Sequence, residues 1–415
     1  MNNSRRKIRE ICEVSSSKRI FMKDYVEEGT PFYRSKEIIK KHNGQEISDK
    51  LYISNEKFNE IKGKFGAPSH GDILLTSVGT IGVPYIVADG EEFYFKDGNL
   101  TWFKNFSSEV SNKYIYYWLQ SPNGKREIDK QIIGSTQKAL TIQSIKEMEI
   151  EIPPLEIQLK VVEILDNVTS KIELNLKMNY TLEEMAMILY KHWFINFSLF
   201  QDEDFVESEI GMIPEGWEVV SVSEFSNIIG GGTPKTSIEE YWGGEYPWIS
   251  VKDLNSPVIM QTEKTVTEKG IKNSSTKLLP AFSTVISARG TIGNISMVGK
   301  EMTMNQSCYA FSSPDGFDTF TFLSIKKSIN NLIKQSHGSV FNTITKSTVN
   351  SLKFPYEPNH IRSFEEKVKP FYQLIRSNIV ENYNLDQLKD YLLPKLLSGE
   401  VDLCEADERV ENIMQ

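Results

Sequence analysis

From Val161 onward, apolar residues advance alternately by four and by three: Val161, Leu165, Val168 and Ile172, then Leu182, Ala186, Leu189 and Trp193, with Asn175 and Asn179 filling the middle of the series. Shifted by 203 residues the pattern returns as Phe364, Val368, Phe371, Ile375, Asn378, Asn382, Leu385, Lys389, Leu392 and Leu396. Alternating steps of four and three draw a seam down one side of a helix, as in a two-helix coiled coil. Two long helices with matching seams are therefore expected to pair. In an antiparallel pair Asn175 and Asn179 face Asn382 and Asn378; a parallel pair also aligns them. Polar groups buried in such a seam lower stability but set register and orientation.

The segments between the seams repeat as well. Gly79-Thr-Ile-Gly82 recurs letter for letter as Gly290-Thr-Ile-Gly293, each behind an apolar strand. Pro31-Phe32 matches Pro247-Trp248, Lys36 lies opposite Lys252, and Gly134-Ser135 with Thr141 recurs as Gly338-Ser339 with Thr345. Ile152-Pro153 recurs as Phe354-Pro355, and each is followed by a long helix. The spacing drifts between 202 and 216 residues, as loop insertions would cause. The chain reads as two copies of a globular domain plus helix, in an α+β fold with an internal pseudo-twofold repeat.

Within this plan, strands are expected at Gly71–Val78, Val83–Ala88 and Glu149–Ile152, and a short helix at Asn112–Leu119. The first long helix opens after Pro153-Pro154 and extends to about Phe197. The 33 residues from Val161 to Trp193 alone span roughly 50 Å at about 1.5 Å per residue. Gln201–Gly211 is a linker. Pro370 and Pro394 have no counterpart in the first helix, so the second is expected to bend near Pro370 and end close to Leu393.

A length of 415 residues, 39% hydrophobic and 25% charged, allows two or three domains with proper cores. No run of about 18 apolar residues suggests a spanning helix. The N-terminal Ser4-Arg-Arg-Lys7 lacks the apolar stretch of a signal peptide. Cys12, Cys308 and Cys404 stand far apart, so a cytoplasmic, reduced protein without membrane association is expected. The net charge of −9 argues against a uniformly basic surface, yet it is uneven. Residues 1–150 hold 23 Lys and Arg against 20 Asp and Glu, while Gln201–Glu215 holds six acids and no base. Basic faces can exist inside an acidic total.

Catalytic signatures are missing. No phosphate-cradling G-x-x-x-x-G-K-[ST] loop, dinucleotide fingerprint, H-E-x-x-H or C-x-x-C occurs, and nothing assembles a nucleophile, base and orienter. Two similar domains on a helical pair suit recognition of a long target with two readable patches. The repeated turns carry groups fit for nucleic acid: Thr76, Ser77 and Thr80 in the first copy, and Ser287, Arg289 and Thr291 in the second. Arg34, Lys36, Thr233, Lys235 and Lys252 lie at other repeated turns. The Gly134 and Gly338 turns add Gln137, Lys138 and Asn342. Arg bridges guanine O6 and N7, Gln and Asn read adenine, and Ser and Thr bind phosphates or base edges. Taken singly, each reads first as a solvated loop residue.

With these pieces in hand, the chain resembles the specificity subunit of a type I restriction–modification system. The resemblance rests on Ile152-Pro-Pro-Leu-Glu-Ile-Gln158, Ile213-Pro-Glu-Gly-Trp217, Gly232-Thr-Pro234, Arg289-Gly-Thr-Ile-Gly293 and Leu392-Leu-Pro-Lys-Leu-Leu-Ser-Gly-Glu400. It covers nearly the whole chain, although the first domain lacks the Pro-Glu-Gly-Trp opening and the Gly-Gly-Thr-Pro turn. It implies a first target recognition domain over residues 1–152, a central spacer helix over 153–200, and a second recognition domain with its leading linker over 201–357. A C-terminal spacer helix and acidic tail then fill 358–415. The two helices would pack antiparallel as a coiled-coil spacer. The domains would each read half of a bipartite, asymmetric site in double-stranded DNA. The chain would be non-catalytic and bind no cofactor. Two modification (methyltransferase) subunits would supply S-adenosylmethionine chemistry to adenine, and two restriction subunits would supply ATP- and Mg-dependent translocation and cleavage.

Overall fold

The computed structural model describes residues 4–45, 47–134, 138–335 and 343–414. Two compact units divide the chain: residues 1–173 with 384–415, and residues 174–383. Each takes part of each long helix. The helices run over Leu155–Phe194, 40 residues, and Pro358–Ser398, 41 residues.

In the first unit, Ile73–Thr76 is buried on both faces and lies between Leu100–Lys104 and Pro84–Ile86, both antiparallel to it. A strand covered on both faces reads as an unbroken apolar run rather than an alternation. Glu13–Ser15 extends this sheet by pairing with Leu100–Lys104. A second sheet joins Thr30–Tyr33 to Leu51–Ile53 antiparallel and to Tyr94–Phe95 parallel.

The second unit repeats this topology. Thr284–Ser287 lies between Cys308–Ser312 and Ile295–Val298, and Asn227–Gly230 pairs with Cys308–Ser312. Trp242–Ile249 pairs antiparallel with Lys264–Val266 and parallel with Thr303–Met304. Val258–Ile259 is added at the edge beside Ile295–Val298. Each unit also closes through a strand pair at its base, Ser4–Lys7 with Glu149–Ile152 and Glu218–Ser221 with Lys353–Tyr356.

The long helices pair antiparallel within each unit. In the first, Val161, Leu165 and Val168 share a core with Leu385, Leu392 and Leu396. In the second, the Phe364 ring lies 5.8 Å from Trp193 and 5.1 Å from Phe194. There too the asparagines meet, Asn175 bonding Asn382 and Asn378 bonding Asn179, each at 2.8 Å, and all four are buried.

Two expectations need correction. The second helix does not stop near Leu393; it runs unbroken through Pro370 and Pro394 to Ser398. A proline costs a helix interior about 3 kcal/mol. Leu392, Leu393, Leu396 and Leu397 around Pro394, and Val368 and Ile375 near Pro370, are all buried; each such side chain stabilises by roughly 1.5–3 kcal/mol, and together they outweigh it. The stop is Gly399, left-handed at φ +72°, with Gly399 N–H bonded to the Leu396 carbonyl and Glu400 N–H to that of Lys395. That is the glycine-terminated cap that satisfies a helix's last carbonyls. Nor is Gln201–Gly211 a bare linker, because Phe205–Ser208 forms a hairpin with Gly211–Pro214. No helix among the described residues is long and apolar enough to cross a membrane.

Candidate functional site

The repeated Gly-Thr-Ile-Gly loops are built by the same hydrogen bonds. In the first unit, Thr76 N–H donates to the Val83 carbonyl at 3.1 Å, and Val83 N–H donates back to Thr76 Oγ1 at 2.9 Å. In the second, Ser287 N–H donates to the Asn294 carbonyl and Asn294 N–H to Ser287 Oγ, both at 2.9 Å. Gly82 and Gly293 N–H groups close the loops onto the Thr76 and Ser287 carbonyls. Gly79, Gly82, Gly290 and Gly293 all have φ between +79° and +88°; that region explains why glycine holds these places in both copies.

This geometry sorts the hydroxyls and cations of the two loops. Thr76, Ser77 and Ser287 are buried. Their hydroxyls are engaged inside the fold, that of Ser77 with Thr101 Oγ1 at 2.7 Å. They shape the loops and present nothing to solvent. Thr80, Arg289 and Thr291 are exposed at the tips. Arg289 has no ion-pair partner among the described residues.

A second segment is tied to each loop at the equivalent place. Leu140 N–H donates to the Ser77 carbonyl in the first unit, and Ile344 N–H to the Ala288 carbonyl in the second, both at 2.9 Å. Exposed Lys138 therefore lies beside the first loop. Gln137 and Asn342, together with Ser135 and the Gly338-Ser339 pair, lie outside the described residues.

The other turns divide similarly. Arg34 is committed to Glu37, reaching its two carboxylate oxygens at 2.8 and 3.2 Å. Glu37 is buried. Burial would raise its carboxyl, but the Arg34 guanidinium and nearby backbone N–H groups prevail and hold it below the usual range. Lys36 stays exposed and reaches Glu37 only at 3.5 Å. Lys235 and Lys252 are exposed. Half-buried Thr233 donates to Gln306 Oε1. A Cβ on Gly232 would fall 2.3 Å from the Thr276 nitrogen, so this turn needs glycine for close backbone approach. Exposed Gln306, able to bond adenine in the same way as Asn, is a candidate that sequence reading passed over. Its signal was the polar Asn305-Gln306 pair directly after the strand Thr303–Met304.

Comparison with known proteins places this arrangement. The sequence matches the family described as Type I restriction modification DNA specificity domain over residues 2–184 and 214–389. The specificity subunit of the type I restriction enzyme HindI from Haemophilus influenzae is 27% identical over 398 residues, covering 80% of this chain and 86% of that one. The EcoR124I/EcoR124II specificity subunit from Escherichia coli is 30% identical over 188 residues, 43% of this chain and 41% of that one. Among solved structures, the S subunit of a type I restriction–modification system from M. genitalium aligns over 95% of this chain and 96% of its own. Its TM-score is 0.56 at 17% identity, a likeness of fold.

Proposed function

Because this chain belongs to the type I restriction modification DNA specificity domain family, we propose that it reads a bipartite, asymmetric site in duplex DNA, one half-site per unit. The observation that carries the reading is the loop built twice on one hydrogen-bond plan with different tips. The first tip exposes Thr80, with Lys138 alongside, and the second exposes Arg289 and Thr291. Equal scaffolds with unequal tips suit unequal half-sites, because base-edge contacts specify sequence while the frame positions them. Lys36, Lys235 and Lys252 suit phosphate contacts. The buried groups Thr76, Ser77 and Ser287, and the paired Arg34, act as the frame.

In this reading the chain is a non-catalytic cytoplasmic subunit without a cofactor of its own. The antiparallel helices set the gap between half-sites. Two modification subunits bring S-adenosylmethionine and methylate adenine, and two restriction subunits bring ATP- and Mg-dependent cleavage. Support for helix-mediated docking of the modification subunits comes from a second stripe on the first long helix. Leu174, Met178, Met185 and Ile188 are all exposed, Leu174 and Ile188 by more than half. They recur at multiples of the same four-and-three steps, one residue out of phase with the paired seam. Bare apolar stripes of this kind mark protein contact surfaces.

The test is a genome-wide map of methylated adenines in cells carrying the cognate modification subunit, with and without this chain. A two-part motif with a fixed unread gap, present only with the chain, is the expected result. A soluble complex that yields no new motif would leave a scaffold and overturn the reading.

A further inference from the structure

We infer that Ser287 is a positioning residue for base reading: its buried hydroxyl fixes the direction in which Arg289 leaves the loop. The inference rests on the proposal that this loop reads DNA, and it goes further by locating specificity in a residue that cannot touch the duplex. Ser287 Oγ lies at the centre of the loop's hydrogen bonds. It accepts from Asn294 N–H at 2.9 Å and donates to the Thr291 carbonyl, so one hydroxyl holds the loop's middle and its exit. The start is pinned separately, by Ile344 N–H on the Ala288 carbonyl. Arg289 lies between these anchors, exposed and without an ion-pair partner among the described residues.

Two features separate this from ordinary packing. First, the other unit repeats it with a different residue. Thr76 stands at the equivalent position, and its Oγ1 accepts from Val83 N–H at 2.9 Å. The hydroxyl is common to the two copies, whereas the methyl group of threonine and the tip residue, Val78 against Arg289, are not. Second, the loop consists of Ala288-Arg-Gly-Thr-Ile-Gly293. It has two glycines at positive φ and nothing within 4 Å of where a Gly290 Cβ would be. Contacts around Gly290 cannot hold such a loop; backbone bonds close its ends, and the Ser287 hydroxyl is the side-chain group that ties its middle, at the Thr291 carbonyl, to the strand. Reading a guanine with both ends of a guanidinium demands that the arm be aimed before contact. Without the hydroxyl, Asn294 N–H loses its acceptor and the tip becomes free to sample other directions.

The experiment compares Ser287→Val, Ser287→Thr and Arg289→Ala in the full chain assembled with its modification subunits. The motif methylated on a randomised duplex library is read, alongside the melting temperature of each variant. Valine and threonine have the same shape and differ by the hydroxyl. Arg289→Ala is expected to relax one base position in one half-site, with discrimination there falling about tenfold or more. Ser287→Val should relax that same position and leave the other half-site intact. Ser287→Thr should keep the native motif, which also shows that the larger side chain is tolerated. If Arg289→Ala relaxes the position and Ser287→Val does not, the positioning role is overturned while the loop's reading of DNA stands. A Ser287→Val chain that methylates every site more weakly with an unchanged motif likewise overturns it, as plain structural damage. An unchanged motif with Arg289→Ala removes the underlying reading, and the inference with it.

Discussion

Asn378 donates through Nδ2 to Oδ1 of Asn179 at 2.8 Å, across a helix pair whose next seam positions on one side, Leu182 and Ile375, are apolar. One helical turn away, Asn175 makes the reciprocal bond to Asn382. Each amide is the other's buried partner, so the pair has one register in which both bonds form. Asn179→Leu should strand the Asn378 donor and cost about 1–3 kcal/mol. Replacing both residues of the pair with leucine should raise the melting temperature above that of the single variant and loosen the register. Thermal melts of the single and double variants decide this; a single variant as stable as the native chain would show that the bond is dispensable.

A pH dependence should come from the second helix. Glu365 accepts the Thr319 hydroxyl and the Phe320 N–H, the latter at 2.7 Å. Burial pushes its carboxyl from an ordinary 4.5 up to about 7, against those two bonds, which lower it. A raised folded-state value means that the folded chain holds the proton more tightly. The stabilisation is full below pH 4.5 and disappears as pH rises through 7. The loss amounts to roughly 3 kcal/mol at most. Melting curves between pH 5 and pH 8 should show a decline in stability that Glu365→Gln flattens. Identical pH profiles for both chains would rule the residue out as its source.

The spacer role predicts a change in distance without a change in sequence preference. Seven residues added to each helix, after Lys177 and after Val380, keep the four-and-three pattern and lengthen the pair by about 10 Å. That is about three base pairs of duplex. The unread gap should grow by that amount while both half-sites keep their bases. A change in the recognised bases would count against the helices acting as a ruler.

The exposed lysines should behave differently from Arg34. Lys235→Ala and Lys252→Ala should each weaken binding to all duplexes alike and reduce the salt slope by about one. Arg34→Ala should instead strip the partner from buried Glu37 and lower the melting temperature. Affinity titrations at several salt concentrations, paired with melts, separate the two behaviours. A base-specific effect from either lysine would contradict a phosphate role.

The repeat, the seam and the glycine loops could be read from the sequence because periodicity and identical letters survive without coordinates. Side-chain direction could not. Thr76 and Thr80 look alike as letters, yet one closes a loop from inside and the other faces solvent. Pro394 misled as a stop because propensity is local, whereas the packing of Leu392, Leu393, Leu396 and Leu397 is tertiary. The opening strand Ser4–Lys7 was hidden by its charge, since Ser-Arg-Arg-Lys has little strand propensity. Its signal lay 145 residues away in Glu149-Ile-Glu-Ile152, whose acids lie opposite Arg5 and Lys7 in the ladder, with Glu149 paired to Arg5.

The helix pairing also sets an order in time. Leu385, Leu392, Leu393, Leu396, Leu397, Ala406 and Val410 complete the core that begins with Ile8 and Ile11. A ribosome makes those residues only after the whole second unit, residues 174–383, has been synthesised. The first unit to be synthesised is thus the last to finish, its apolar face open to chaperones throughout translation.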